Sequence, residues 1–385
     1  MRVLHVISGV DSRAGGPAFA MAGLCKGQKQ AGLDVAALAT FRKGEWRDVA
    51  DDLARSGVNV TLVGPVHGPL ASHRHLPATL RAMIPSHDVV HVHGLWEDVQ
   101  HQAARASRRL GKPYVVTPHG MLSHWSLRQK WLKKKLYMLV RLRRHLNGAA
   151  GVHYTSGAER DAAAALRLRP PAIVEPLGVD LTEFESLPAA GAFRARHRQL
   201  LGKPIVLFLG RIHPGKGLEY LVPAAGQAQA RDFAIVVIGP DSEGHQAVIQ
   251  RQAEQWGVQD RVLFTGMLHG RDRIEALRDA DLFALPSEHE NFGIVVVEAL
   301  AAGTPVIVSD GVALHEEVRT AGVGAVVPAR DAEALARELD RWLADGALRR
   351  GAAARARPFV WERFGWGKIA ARWGEHYSRI TRQGV

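Results

Sequence analysis

Only one cysteine, Cys25, occurs in the 385 residues. An internal disulfide and a cysteine-built metal cluster are therefore excluded, and a reducing compartment fits. No stretch reaches the ~18 uncharged apolar residues that a spanning helix needs, which leaves peripheral contact as the one mode of membrane association to expect. The opening residues, Met1 to Ser8, are apolar too briefly for a secretory leader before Asp11 and Arg13 intervene. They read as a first β-strand, and the expected location is the cytoplasm or the inner face of the cytoplasmic membrane. Acids are missing from residues 99–158, where 12 Lys and Arg stand with no Asp or Glu. That tract carries the whole formal net charge of +12 and predicts an anionic partner. A Gly-x-Gly-x-x-Gly turn is missing after the first strand, which argues against a dehydrogenase.

What is present is a chain that is 46% hydrophobic and long enough for two cores. Short β-branched runs at residues 3–8, 35–40, 58–63, 89–93, 114–117, 205–210, 234–239, 262–265, 282–286 and 305–309 alternate with helix-length amphipathic segments. This alternation predicts parallel α/β sheets. The series breaks near Pro170-Pro171 and Leu187-Pro188 and restarts at Lys203, so two doubly wound domains are expected. Their bounds are placed at 1–185 and 186–360, with a tail, 361–385, that packs back on the first domain because it carries Trp361, Phe364, Trp366, Trp373 and Tyr377.

Residues 286–310 read strand, tight turn, helix, strand, which places Ser287 to Gly293 outside the carboxyl end of a strand, where open α/β sheets bind ligands. Backbone N–H groups of Asn291, Phe292, Gly293 and Ile294 at the helix start would form a cradle for an anion or hydroxyl. Glu290 in the loop and Glu298 two turns on can address two ends of one extended ligand, since carboxylates accept from vicinal hydroxyls. In Gly210-Arg-Ile-His-Pro-Gly-Lys-Gly217, Arg211 and Lys216 can straddle a diphosphate. Gly15-Gly16-Pro17 follows the first strand, either as an ordinary turn or to let the backbone approach substrate. His93 and His119 each end a strand before a glycine. His119 is read as a hydrogen-bonding partner for a sugar hydroxyl or as a structural histidine, and a metal held by this pair lacks carboxylate companions. Asp279-Ala-Asp281 sits at a helix-to-strand junction and is discounted as a metal motif.

Over these residues the chain resembles family 4 of the glycosyltransferases. The resemblance spans nearly the whole chain and implies two facing Rossmann-like domains, the B-type glycosyltransferase fold. It implies that Glu290 and Glu298 are the paired glutamates of a Glu-x7-Glu motif, that Arg211 and Lys216 clamp the donor diphosphate, and that His119 touches the donor sugar. The turn Phe264-Thr-Gly-Met267 would line the base pocket, and His119 and Glu290 would be the catalytic pair. Asn291 after Glu290, and Val312-Ala-Leu-His-Glu-Glu317, depart from the family's pattern. The stretch Pro118-His-Gly-Met-Leu-Ser123 with the basic segment after it is similar to bacterial members that build lipopolysaccharide or capsular chains.

The implied reaction moves a hexose from a nucleoside-diphosphate sugar, GDP-mannose or a UDP-hexose, to a hydroxyl of a glycan or lipid-linked acceptor. Configuration would be retained, and no metal or other cofactor is expected. Rivals are a nucleotide-sugar epimerase, a phosphorylase, and a non-enzymatic lipid- or nucleic-acid-binding protein on the same fold; no nucleic-acid partner is expected. Residues 127–146 are expected to form one helix with a stripe of Leu132, Leu136, Leu139, Leu142 and Leu146. Such a helix would dock on an anionic membrane or grip an acidic acceptor.

Overall fold

The structure, a computed structural model, describes residues 1–14, 16–241 and 243–383, without the side chains of Ala14, His124, Trp125 and Gln383. The chain forms two compact units, Met1–Gly178 with Gly365–Val385, and Val179–Phe364.

The first unit holds seven strands: β1 (Arg2–Ile7), β2 (Asp34–Thr40), β3 (Asn59–Val63), β4 (Val89–His93), β5 (Tyr114–Thr117), β6 (Gly151–Tyr154) and β7 (Ala172–Val174). All pairs are parallel, in the order β3-β2-β1-β4-β5-β6-β7. Val3 faces Val35 on one side and Val89 on the other. The strands are apolar through their length because helices cover both faces of the sheet. The second unit holds β8 (Ile205–Leu209), β9 (Ala234–Ile238), β10 (Val262–Gly266), β11 (Leu282–Leu285), β12 (Val306–Ser309) and β13 (Gly324–Val327). They run parallel in the order β10-β9-β8-β11-β12-β13. Strands β6, β7 and β13 lie outside the sequence expectation.

Strand order reverses between β1 and β4 in one sheet and between β8 and β11 in the other. In open α/β sheets such a reversal marks the place where ligands bind, outside the carboxyl ends of the strands.

The C-terminal helix Trp366–Gln383 belongs to the first unit and packs on the helix Gly16–Gln30. Ile369, Trp373, Tyr377 and Ile380 join Val3, Val89 and Val115 in one buried cluster. Gly23, Gly27 and Gly178 make room for Trp366, because a Cβ on Gly23 or Gly178 would overlap the indole and one on Gly27 would meet its carbonyl oxygen at 2.9 Å. Trp361 and Phe364 stay with the second unit: Trp361 receives Arg357 at 4.5 Å and Phe364 sits edge-on to Phe292.

The basic segment departs from the expected single helix. A short helix, His124–Arg128, ends at Gln129, and Lys130 takes φ +52°. Helix resumes as Trp131–Tyr137, passes through a π-helical turn Met138–Leu142, and closes with Arg143–Asn147. The expected apolar stripe also splits. Leu142 and Leu146 are core, while Leu132, Leu136 and Leu139 are each more than 60% exposed. The extra residue of the π turn rotates the two halves out of register, so one stripe cannot serve both.

Candidate functional site

In the second unit the loops after β8 and β11 leave the sheet at the reversal of strand order. Gly217, at φ +97°, brings its backbone against the Pro286 carbonyl, a contact that a Cβ would block. Glu288 N–H donates to the Gly215 carbonyl at 2.9 Å and Ser287 Oγ to the Lys216 carbonyl at 3.1 Å. The two loops expected to carry the chemistry are thereby stitched together. Lys216 and Glu290 are brought into direct ion pairing. Arg211 is exposed and has no ion-pair partner among the described residues.

Gly293, at φ +87°, caps the helix Ile294–Ala301. A Cβ there would meet Val312 Cγ1 at 3.2 Å. The N–H groups of Gly293 and Ile294 have no acceptor among the described residues, as the first turn of a helix leaves them. Phe292 contributes backbone alone, because its ring is buried. The departing loop after β12 is tied to the same turn. Glu290 N–H donates to the Gly311 carbonyl at 2.9 Å, and Ala313 N–H to the Glu290 carbonyl at 3.0 Å.

Glu298 is buried and pairs with Arg273, which also reaches Glu183 at 2.8 Å. Burial pushes the Glu298 carboxyl above its ordinary range, and the Arg273 guanidinium draws it part of the way back. Arg273 escaped the sequence reading because it lies 25 residues away on the helix Gly270–Asp279. Glu219 was missed too. Its carboxylate accepts from Gly215 N–H and, at 3.2 Å, from Gly217 N–H, which braces the loop that carries Lys216. Met267 stands 58% exposed just beyond β10. Asp279 and Asp281 are structural: they accept from the backbone of Gly191, Arg194 and Ile205, and Asp281 pairs with Arg194 at 2.6 Å.

In the first unit Gly15 lies outside the described residues. Gly16 opens a helix, and a Cβ on it would meet open space, so no protein contact demands glycine there. His119 follows β5 at φ +52°, a conformation uncommon outside glycine and frequent at binding sites. The buried carboxylate of Glu159, which sequence reasoning also missed, accepts from Gly120 N–H at 2.5 Å and from Thr155 N–H and Oγ at 2.7 Å. It pins the loop at its glycine.

Behind His119 lies a group of histidines. His119 Nε2 is 3.1 Å from His93 Nδ1, and His93 Nε2 is 3.0 Å from His5 Nδ1. His91 stacks on His93 at 4.4 Å between centroids. Ring nitrogens of His5, His91 and His93 come within 4.8 Å of one another, a spacing that could hold a cation. All six of those nitrogens already have hydrogen-bond partners, so the rings fit a satisfied polar network better than a metal site. Burial holds His119 down to about 3, His5 and His153 to about 4, and His91 and His93 well below the usual imidazole value.

Two family models match the chain: "Glycosyl transferase 4-like domain" over residues 15–179 and "Glycosyl transferases group 1" over residues 191–358. A D-inositol 3-phosphate glycosyltransferase of Salinispora tropica is 39% identical over 212 residues, 50% of this chain and 43% of that protein. A phosphatidyl-myo-inositol mannosyltransferase of Mycolicibacterium smegmatis is 33% identical over 218 residues, covering 56% and 53%. The chain thus spans about half the length of these curated relatives. Among solved structures, Anabaena HepE in complex with UDP superposes with a TM-score of 0.81 over 98% of this chain and all of that one, at 20% identity.

Proposed function

Since the chain belongs to the family 4 glycosyltransferases, we propose that it moves a hexose from a nucleoside-diphosphate sugar to an acceptor hydroxyl, with retention of configuration and without a metal ion. One observation carries this reading. At the reversal of strand order in the second unit, Arg211, without an ion-pair partner among the described residues, and Lys216 lie on loops stitched to a helix start whose Gly293 and Ile294 N–H groups have no acceptor among those residues. Those donors and cations match a diphosphate, and they stabilise the negative charge that builds on it as the sugar–oxygen bond breaks. Lys216 exchanges part of its contact with Glu290 for the phosphate, which frees the carboxylate to accept from a sugar hydroxyl. Glu298, steadied by Arg273, accepts from the ribose hydroxyls, and His119 touches a sugar hydroxyl. Attack comes from the face the diphosphate leaves, through a short-lived ion pair, and a phosphate oxygen takes the acceptor's proton.

The UDP complex of the structural neighbour and the inositol phosphates in the relatives' names favour a nucleoside diphosphate as leaving group and a phosphorylated or lipid-linked polyol as acceptor. The basic segment fits such an acceptor's surroundings. Trp131, Leu132, Leu136, Leu139 and Val140 are exposed among lysines and arginines, the composition of an interfacial helix.

A thermal-shift series with UDP, GDP, ADP and TDP identifies the base through linkage. With the donor so chosen, turnover is expected to persist in EDTA. Arg211→Ala and Lys216→Ala are each expected to lower kcat/KM by about 30- to 900-fold, that is by roughly 2 to 4 kcal/mol. Activity lost in EDTA and restored by Mg or Mn overturns the metal-free route, and wild-type turnover in either variant overturns the clamp.

A further inference from the structure

His119 is the end of a hydrogen-bond chain that crosses the first unit. From His119 it passes through His93 and His5 to Gln28, where His5 Nε2 is 2.8 Å from Gln28 Oε1. Gln28 Nε2 is 3.2 Å from the hydroxyl of Tyr377 on the C-terminal helix, and that hydroxyl is 2.6 Å from His91 Nδ1. His91 Nε2 is 2.6 Å from Thr117 Oγ1, which is 2.8 Å from His153 Nδ1. His153 Nε2 ends the chain 2.7 Å from the backbone carbonyl of Glu175, a residue anchored by Arg372 at 2.7 Å.

A carbonyl oxygen only accepts, and this decides every proton in the chain. His153 must carry its hydrogen on Nε2, so its Nδ1 accepts from the Thr117 hydroxyl. Thr117 then accepts from His91 Nε2–H, and His91 Nδ1 accepts from Tyr377. Tyr377 accepts from the Gln28 amide, whose oxygen accepts from His5 Nε2–H. His5 Nδ1 accepts from His93 Nε2–H, and His93 Nδ1 accepts from His119 Nε2–H. Running the chain the other way places two lone pairs against each other 2.7 Å apart at Glu175. Burial keeps the imidazoles neutral, so no doubly protonated ring interrupts the order.

We propose that Thr117, Tyr377, Gln28 and the histidines behind His119 are positioning residues that lock His119 in its Nε2–H tautomer, so that it meets its ligand as an acceptor through Nδ1. This rests on the reading above that His119 touches a sugar hydroxyl. It deepens that reading by requiring the ligand to present an O–H donor there, and a group that only accepts is turned away. Nδ1 of His119 is the one ring nitrogen of the chain without a partner among the described residues.

The test is nitrogen NMR of the full-length protein labelled with 15N-histidine at neutral pH, with the His119 signals identified by their loss in His119→Asn. In the wild type, His119 is expected to show a protonated Nε2 and an unprotonated Nδ1. Thr117→Val cuts the chain from the Glu175 carbonyl. The Gln28 amide is then free to turn over and present its NH2 to His5, which lets the remainder run either way, and His119 is expected to shift toward a mixture of tautomers. Thr117→Ser restores the single form. Tyr377→Phe cuts the chain at a second point and should act like Thr117→Val, which keeps the test decisive should one variant fail to fold. A proton on Nδ1 in the wild type, a doubly protonated ring, or an unchanged His119 spectrum in the folded cut variants overturns the proposal. These spectra need no donor or acceptor, so absence of glycosyl transfer would sink the functional reading and leave this result standing.

Discussion

Arg273 is the residue on which the charge of Glu298 depends. The Glu298 side chain is 11% exposed and pairs with an Arg273 that is 22% exposed. Replacing Arg273 by Gln leaves a nearly buried carboxylate without its cation, at a cost of about 3 kcal/mol at neutral pH. The folded carboxyl already holds its proton more tightly than the unfolded one, and the substitution extends that difference. Where the folded protein keeps a proton that the unfolded chain has released, stability falls as pH rises. Arg273→Gln is therefore expected to lower the melting temperature more at pH 8 than at pH 5; an equal drop at both would count against the pairing. Arg211, Lys216, Glu290 and Glu298 were legible in the sequence because each sits at a fixed offset from a glycine or strand end. Arg273, Glu219 and Glu159 were not, since their roles arise from contacts and no local pattern marks them.

Two elements carry most of what the fold adds. The helix Trp366–Gln383 docks through Trp366, whose indole fills space left by Gly23 and Gly178. Alanine within a helix ordinarily stabilises relative to glycine by about 0.5 to 1 kcal/mol. At Gly23 the clash with the indole outweighs this, and Gly23→Ala is expected to destabilise by about 1 to 3 kcal/mol. A raised melting temperature in that variant would refute the docking. In the basic segment, Lys134 is already engaged with the Ser126 carbonyl and lies 5.1 Å over Trp96. The proposed membrane docking therefore rests on its neighbours. With Lys133 and Lys135 both changed to Glu, co-sedimentation with anionic vesicles at low salt should drop sharply, at roughly 1 kcal/mol per basic residue near the surface. No wild-type binding to such vesicles would end the membrane reading. The sequence period of 3.6 could not anticipate the π turn at Met138–Leu142 or the left-handed Lys130, because neither leaves a compositional mark.

Four neutral imidazoles in the first unit, His5, His91, His93 and His153, are at most 2% exposed. Burial lowers each of them. Below the ordinary value near 6.5 the unfolded chain takes up protons that the folded one refuses, so stability falls with falling pH, by up to about 1.4 kcal/mol per histidine per unit. Together they cost about 5 kcal/mol between neutral pH and pH 5.5, a large share of a typical domain's stability. A steep fall in melting temperature between pH 7.5 and 5.5 is expected; a flat profile would contradict the neutral network. Alternation of β-branched runs with amphipathic segments was enough to establish two parallel α/β sheets, because a strand buried on both faces must be apolar throughout. Glycine and charge spacing likewise placed the loops after β8 and β11, since a strand end followed by a tight turn is a local property. The histidine chain was beyond such reading. Its members come from β1, β4, β5, β6, the loop after β5, the helix Gly16–Gln30 and the C-terminal helix, separated by up to 349 residues at the Gln28–Tyr377 contact. Only parallel pairing, which lines up His5 with His91, and the return of the C-terminal helix bring them within hydrogen-bonding distance, because contacts between elements distant in sequence exist only once the chain has folded.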